Sequence, residues 1–216
     1  YIFSGPVAAY GFKEVEGGDY RTVIIIGPSH HLRFRGASVP NVTHYRTPLG
    51  LVKLSSKVKE MLNEDIITSI PEAHLHEHSV EVEIPFLQRV LKDFEIIPIV
   101  TGDVDPERLA SVLEKYIDDK TLIIASSDLS HYHPYEEAVS IDQNCVESIP
   151  NLDFGGMNRC EACGKIPVLT LMHIAKDLNW KGATLDYRNS GDTYGDKSRV
   201  VGYLSVAFYE GGSDED

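Results

Sequence analysis

Runs of β-branched apolar residues alternate along this chain with amphipathic stretches that carry a helical period. Four runs predict strands: Thr22–Ile26, Ile96–Val100, Thr121–Ala125 and Val200–Tyr209. Six stretches with apolar residues at three- and four-residue spacing predict helices: Gly5–Val15, Leu54–Leu62, Val82–Leu91, Pro106–Ile117, Glu136–Val146 and Ile166–Leu178. Strands that alternate with helices indicate an α/β fold whose largely parallel sheet is covered on both faces. The last run also fits an antiparallel edge or central strand.

Composition and charge narrow the class of protein. The 216 residues are 42% hydrophobic and show no internal repeat or linker, which predicts one domain. The net charge is −13, and the basic residues are scattered and do not form a stripe. Nucleic acid and anionic membranes would be repelled, so they are poor partners. We expect a cytoplasmic protein, since no run reaches the roughly 18 apolar residues of a membrane span and Tyr1–Gly11 lacks the pattern of a signal peptide. The acidic tail Gly211–Asp216 is expected to fray.

Two predicted strands run directly into short polar segments. Thr22–Ile26 is followed by Gly27–His31, and Thr121–Ala125 is followed by Ser126–His133. Ligands of open α/β sheets bind beyond the carboxyl ends of the strands, where loops converge. Two histidine-bearing segments at such positions therefore predict a site.

Seven of the nine histidines fall into three clusters: His30 and His31; His74, His76 and His78; His131 and His133. Adjacent residues rarely bind one ion together, so we favour His30 as the inward residue and His31 as its support. The alternative is a strand-end histidine satisfied by the backbone. His74 and His76 fit an exposed polar loop better than a metal-binding tract. His78 stands at a predicted helix entrance, where its side chain can point into a pocket.

Asp128 and His131 lie three residues apart just after a predicted strand. They can form a carboxylate–imidazole pair, which tunes a general acid or base. The alternative is a helix N-cap, because Ser126, Ser127 and Asp128 are all good capping residues.

The three cysteines, Cys145, Cys160 and Cys163, are an odd number in a chain without a secretory signal, which argues against a disulfide framework. Cys145 lies on an apolar helix face and is predicted to be in the core. Cys163 precedes Gly164 and a predicted helix, whose N-terminus would stabilise a thiolate, so it is a candidate metal ligand or redox thiol. A disulfide between Cys160 and Cys163 would remove that ligand and act as a redox switch.

The motifs of other catalytic classes are absent from the sequence. It contains no G-x-G-x-x-G, no Walker loop and no G-x-S-x-G, so dinucleotide, nucleotide and serine-hydrolase functions lack support. A histidine–cysteine metal site remains.

Five segments resemble the MEMO family in their order and context: Gly27–His31, Glu77–Glu81, Ser126–His131, Cys163–Gly164 and Val201–Tyr203. The resemblance covers essentially the whole chain. MEMO proteins are similar in fold to the class III extradiol ring-cleaving dioxygenases, which hold non-haem iron(II) with two histidines and a glutamate. The resemblance implies a single three-layer α/β/α domain, residues 1–216, with a mostly parallel or mixed central sheet.

The same resemblance implies the site residues. The metal ligands would be His30 and Cys163, together with a family histidine in a His-Ala-Gly-Tyr stretch that would precede Tyr1. The acid/base residue would be His131, with Asp128 as its neighbour and His78 as a further pocket histidine. The chain starts without methionine and is short for the family near residues 151–160, so we expect missing upstream residues and a missing internal loop.

As a function, the resemblance implies a metal-dependent redox protein or dioxygenase-like oxidoreductase, with iron(II) favoured and copper or zinc as alternatives. Because the thiolate of Cys163 replaces the dioxygenase glutamate and is softer, ring cleavage does not follow from the fold. The alternative is a non-catalytic scaffold that binds a peptide or small ligand in the same pocket. The family also implies a pathway link to AMMECR-like and radical-SAM proteins.

Overall fold

The computed structural model describes residues 1–211 of the chain, so the predicted fraying of the tail beyond Gly211 lies outside the described residues. The strands are β1 Thr22–Pro28, β2 Ala37–Ser38, β3 His44–Thr47, β4 Gly50–Lys53, β5 Ile67–Thr68, β6 Glu95–Thr101, β7 Thr121–Ala125, β8 His131–His133, β9 Lys181–Asn189 and β10 Val200–Tyr209. The α-helices are α1 Gly5–Glu14, α2 Lys57–Met61, α3 Pro71–Leu75, α4 Ile84–Val90, α5 Pro106–Leu113, α6 Tyr135–Ser148, α7 Lys165–Asp177 and α8 Ser190–Thr193. Short 3₁₀ turns cover Glu114–Tyr116 and Gly156–Arg159.

The predicted elements are confirmed. Each of the four predicted strands and six predicted helices overlaps an observed element of the same type. The predicted α/β class is also confirmed, and the mixed parallel and antiparallel sheet is consistent with the expected three-layer architecture. Among residues 1–211, no helix is long and apolar enough to cross a membrane.

The chain forms two compact units. The first, called the sheet unit, comprises Val15–Ser127 and Gly164–Leu171. The second, called the terminal unit, comprises Tyr1–Glu14, Asp128–Cys163 and the residues from Met172 onward. Helix α7 contributes residues to both.

The sheet unit is built on a five-stranded sheet in the order β5-β2-β6-β1-β7. Strand β1 pairs in parallel with β6 and β7, whereas β2 runs antiparallel to β6. All seven residues of β1 are buried, as expected for a central strand covered on both faces. The polar segment Ser29–His31 therefore begins where a rigid, buried strand ends.

The terminal unit is built on a three-stranded antiparallel sheet in the order β8-β10-β9. Strand β10 is its central strand, so the antiparallel alternative for the C-terminal run is the one observed. Helices α1 and α6 both pack against β10. Strand β8 is short and carries His131 and His133, which places them on a regular element and not in a loop.

Candidate functional site

The carboxyl end of β1 is in close contact with the turn formed by residues 77–79. A Cβ added to Gly27 would collide with the Oγ and Cβ atoms of Ser79, so only glycine permits this approach. The Ser79 hydroxyl donates a hydrogen bond to the Pro28 carbonyl at 3.1 Å. The turn is thereby held beside the segment that carries His30.

A buried carboxylate in that turn, Glu77, binds His30 through two different groups. The backbone N–H of His30 donates to Glu77 Oε2 at 2.6 Å, and His30 Nδ1 lies 3.0 Å from Glu77 Oε1. The same Oε1 accepts hydrogen bonds from the backbone N–H groups of His78 and Ser79, both at 3.0 Å. The Glu77 side chain is 3% exposed, whereas that of His30 is 45% exposed. The result is a buried acceptor that holds a partly accessible imidazole.

The hydrogen bonds to Glu77 also decide its charge. Burial raises the pKa of Glu77, but the hydrogen bonds from His30 and Ser79 outweigh burial and bring that pKa down to about 2. The carboxyl group is therefore ionised at neutral pH.

The other two histidines near this turn behave differently from the sequence expectation. The side chain of His78 is 71% exposed, and its Nδ1 lies 2.7 Å from Glu81. His78 therefore faces solvent, whereas the sequence analysis expected it to point into a pocket. His74 is partly buried instead of exposed, because its Nε2 bonds with the Ser38 hydroxyl at 3.0 Å. Burial lowers the pKa of His74 to about 4. His76 is exposed, as expected.

In the terminal unit, the segment that starts at Asp128 is pinned by backbone contacts. Leu129 N–H donates to the Gly202 carbonyl at 2.9 Å, and Gly202 N–H donates to the Ser130 carbonyl at 2.9 Å. Ser130 N–H in turn donates to the buried Asp142 at 3.0 Å. The segment leads into strand β8, so the helix-cap alternative for residues 126–128 is wrong.

His131 begins strand β8 and lies next to a backbone irregularity. His131 pairs with Val201 and His133 with Val200, which leaves Tyr132 as an extra residue in the ladder. Tyr132 has φ of 64°, a conformation that is costly for a bulky residue. Tyr132 is 62% exposed, and its ring contacts the His131 ring edge-on at 5.7 Å and lies under the Arg199 guanidinium at 5.2 Å. Bulges of this kind often occur next to functional sites, where they redirect a side chain.

Cys163 is held against Asp128. The backbone N–H of Cys163 donates to the Asp128 carbonyl at 3.2 Å, and the backbone N–H of Asp128 donates to the Cys163 sulfur, also at 3.2 Å. Cys163 is partly exposed and lies two residues before α7 begins. The sulfur also lies 3.7 Å from the Asp128 carbonyl, to which the thiol can donate, so Cys163 and Asp128 are joined by three contacts.

The cysteine pairing corrects the sequence prediction. Cys145 and Cys160 form a disulfide, and Cys163 is the cysteine outside it. Cys145 is buried as predicted, on the inward face of α6, but its partner follows the 3₁₀ turn at Gly156–Arg159. The Cα atoms of the pair lie 4.9 Å apart, within the range that a disulfide can bridge. An odd cysteine count therefore did not exclude a disulfide.

The structure groups the predicted site residues in two sets. His30 and His78 belong to the sheet unit and both donate to Glu77 through their backbone N–H groups. Asp128, His131 and Cys163 belong to the terminal unit, where Asp128 contacts Cys163 directly. Within residues 1–211, no group of three or more histidine, cysteine, aspartate and glutamate side chains is placed to hold a metal ion. The metal site, to which this chain would contribute two ligands, stays a prediction.

Sequence reasoning gave no role to three residues that contact the predicted site residues or their neighbours: Glu77, Tyr132 and Arg199. Glu77 stood beside a histidine in a recognised motif, but its contact with His30 spans 47 positions and has no local signature. Tyr132 stood between two histidines, and only its backbone conformation distinguishes it.

The fold and these contacts define a mixed α/β protein with a carboxylate–histidine pair at one strand end and a cysteine–aspartate contact after another. The family model described as Memo-like protein matches residues 1–207. A MEMO1 family protein of Sulfurisphaera tokodaii is 39% identical, and one of Sulfolobus acidocaldarius is 40% identical; each alignment covers 96% of this chain and 79% of the relative. A third, from Saccharolobus solfataricus, is 36% identical with the same coverage. The chain belongs to the Memo-like family, which confirms the resemblance inferred from its motifs.

Proposed function

We propose that this protein is a metal-dependent redox protein or dioxygenase-like oxidoreductase that uses His30 and Cys163 as metal ligands. Iron(II) is the favoured metal, with copper and zinc as alternatives. The substrate is an unidentified small molecule or peptide.

The observation that carries the proposal is the state of Cys163. The other two cysteines are bonded to each other, whereas Cys163 lies outside the disulfide and is partly exposed. The backbone N–H of Asp128 donates to its sulfur, which positions the sulfur beside the segment that follows β7.

The donor types fit a redox metal. Imidazole suits iron, copper and zinc, and thiolate favours the softer of these ions. Bound iron(II) would supply one-electron redox chemistry at a centre with open coordination positions. His30 is suited to the ligand role because its ring is accessible while a buried carboxylate holds it.

The residues proposed to move protons are His131, Asp128 and His78. His131 is partly exposed on β8, where its pairing with Val201 fixes the backbone and the Tyr132 ring limits its rotation. An imidazole held in this way is suited to general acid–base catalysis. The pairing of Asp128 with His131, and a supporting role for the exposed His78, are parts of the proposal.

Metal content tests the proposal directly. Elemental mass spectrometry of anaerobically purified protein is expected to find near-stoichiometric iron or copper, and less metal in the variants Cys163→Ser and His30→Ala. The matched control is His76→Ala, which removes an exposed histidine of the same chain and should keep the metal. Unchanged metal content in both ligand variants would contradict the assignment, and zinc retained through purification would favour hydrolysis instead.

A non-catalytic binding function is the second candidate, and the Tyr132–Arg199 pair favours it. An exposed aromatic ring with a guanidinium over it can recognise an aromatic or anionic group of a ligand without a metal. If metal-free protein binds benzoate and Arg199→Met abolishes binding, while no dioxygen is consumed with reduced metal, this candidate takes first place.

The proposal also keeps two expectations that rest on the family alone. One is a shared pathway with AMMECR-like and radical-SAM proteins, and the other is a cytoplasmic location. Cytosolic disulfides are rare outside hyperthermophiles, so the disulfide between Cys145 and Cys160 is an observation that weighs against the cytoplasmic location.

A further inference from the structure

We propose that Glu77 is a positioning residue that fixes the tautomer of His30, so that Nδ1 carries the proton and Nε2 is left as the binding atom. The identity of what binds at Nε2 rests on the proposed function; the tautomer does not.

The first step concerns the direction of the hydrogen bonds at Glu77. Three backbone N–H groups, those of His30, His78 and Ser79, point at its two oxygens, and a backbone N–H can only donate. One oxygen receives the His30 N–H and the other receives the two remaining N–H groups. A carboxylate accepts all three bonds with its two oxygens, whereas a hydroxyl hydrogen on either oxygen would compete with these donors, so the geometry favours acceptance at both oxygens.

The second step follows for the imidazole. His30 Nδ1 lies 3.0 Å from Glu77 Oε1, and two acceptors cannot share a hydrogen bond. Nδ1 must therefore carry hydrogen, and in a neutral imidazole the lone pair then belongs to Nε2.

The third step concerns rigidity. Glu77 binds both the backbone and the ring of His30, so the ring is oriented relative to its own main chain. The carboxylate is 3% exposed, so water competes little for its hydrogen bonds, whereas the ring is 45% exposed and accessible. Metal-binding histidines commonly have this arrangement, in which a carboxylate accepts from the nitrogen that does not bind the metal.

A purely structural role for Glu77 would not need the imidazole. The three backbone N–H groups alone would fasten the 77–79 turn to the segment after β1. The neighbouring pair of His78 and Glu81 has a similar contact, 2.7 Å, but both side chains are more than half exposed and neither is held by the backbone. That pair provides a matched control on the same turn.

The variant Glu77→Gln is chosen because it keeps the shape and removes the second acceptor. One of its two terminal atoms becomes an amide donor, which meets either the His30 N–H or the N–H groups of His78 and Ser79. An amide nitrogen at the Oε1 position would require Nδ1 to accept, and an amide oxygen there is a weaker acceptor than the carboxylate oxygen. In either orientation the preference for Nδ1–H becomes smaller, so we expect a mixture of tautomers.

Imidazole ¹⁵N NMR of metal-free protein reads the tautomer without any metal or activity. Across a pH series, the neutral form of His30 in the unaltered protein should show a protonated Nδ1 and an unprotonated Nε2. The resonances are assigned with His30→Gln. Glu77→Gln should give a mixture of the two tautomers, while Glu81→Gln should leave His30 unchanged and alter only His78.

A second measurement links the tautomer to binding. Iron(II) affinity should fall roughly 10–100-fold in Glu77→Gln and stay the same in Glu81→Gln. An Nε2–H tautomer of His30 in the unaltered protein would overturn the inference, and this reading holds even if Glu77→Gln fails to fold. Absence of iron binding in the unaltered protein would instead remove the proposed function and leave the tautomer assignment standing.

Discussion

The disulfide between Cys145 and Cys160 ties helix α6 to the segment that carries Cys163 three residues later. Closing a loop of 15 residues removes conformational freedom from the unfolded chain and is worth about 3 kcal/mol in the chain-entropy model. The double variant Cys145→Ala with Cys160→Ala should therefore lower the free energy of unfolding by about that amount, measured in urea.

Reducing agent provides the control for this prediction. With the disulfide reduced, the unaltered protein should approach the stability of the double variant, because both then lack the cross-link. If the double variant is as stable as the oxidised protein, the pair does not stabilise the fold in solution.

Gly202 is expected to tolerate no side chain. A Cβ there would collide with the carboxylate of Asp142, which is fully buried and accepts from Ser130 N–H and from the Tyr187 hydroxyl. Gly202→Ala should destabilise the protein by about 1–3 kcal/mol or more, because Asp142 cannot move without losing these bonds. Thermal unfolding measures the loss, and Gly155→Ala, where a Cβ has its nearest neighbour 3.3 Å away, should have little effect.

At position 132, a glycine variant should be more stable than an alanine variant, which is the reverse of the usual order in a strand. At an ordinary strand position alanine is the more stable of the two, but the φ of 64° penalises any residue with a Cβ. Tyr132→Gly should therefore be more stable than Tyr132→Ala by about 1 kcal/mol in chemical denaturation. The two variants lose the same ring, so alanine proving the more stable would show that the bulge carries no strain.

His74 should make the stability depend on mildly acidic pH. Its pKa is lowered by burial from 6.5 to about 4, so between these values the unfolded chain binds more protons than the folded protein. The contribution is fully present above pH 6.5 and is lost as pH falls toward 4, by up to about 3 kcal/mol.

The variant His74→Gln, which can still bond with the Ser38 hydroxyl but does not titrate, should flatten this part of the profile. His76→Gln, at an exposed position of the same segment, should keep the original slope. The free energy of unfolding measured in urea across this pH range checks both variants.

The sequence predicted the strands that are both long and buried, and it missed strands that are half-buried or only two residues long. β1 and β6 are continuous apolar runs because both of their faces are covered, and such runs are easily read. β9, at Lys181–Asn189, is mostly half-buried and has no clear alternation, so it carried no signal. The two-residue strands β2 and β5 are too short to have a period.

The residues of the candidate site also fall into those that the sequence predicted and those that it did not. His30 and Cys163 were recognised from local motifs, whereas Glu77 was given no role because its contact with His30 depends on how distant segments meet. The position of Cys145 on an inward helix face was readable, but its partner was not, because spacing alone does not bring two cysteines together.

Helix α1 packs against β10, so α1 cannot reach its final packing until β10 has been synthesised. Helix α1 is synthesised well before β10, and at the usual rates of synthesis the interval between Glu14 and Val200 is about 10–40 s. During that time Val7 and Phe12, which are buried in the finished fold, have no strand to cover them. Helix α1 therefore stays uncovered until β10 is made, while the strands of the sheet unit, which all precede residue 126, can already pair with one another.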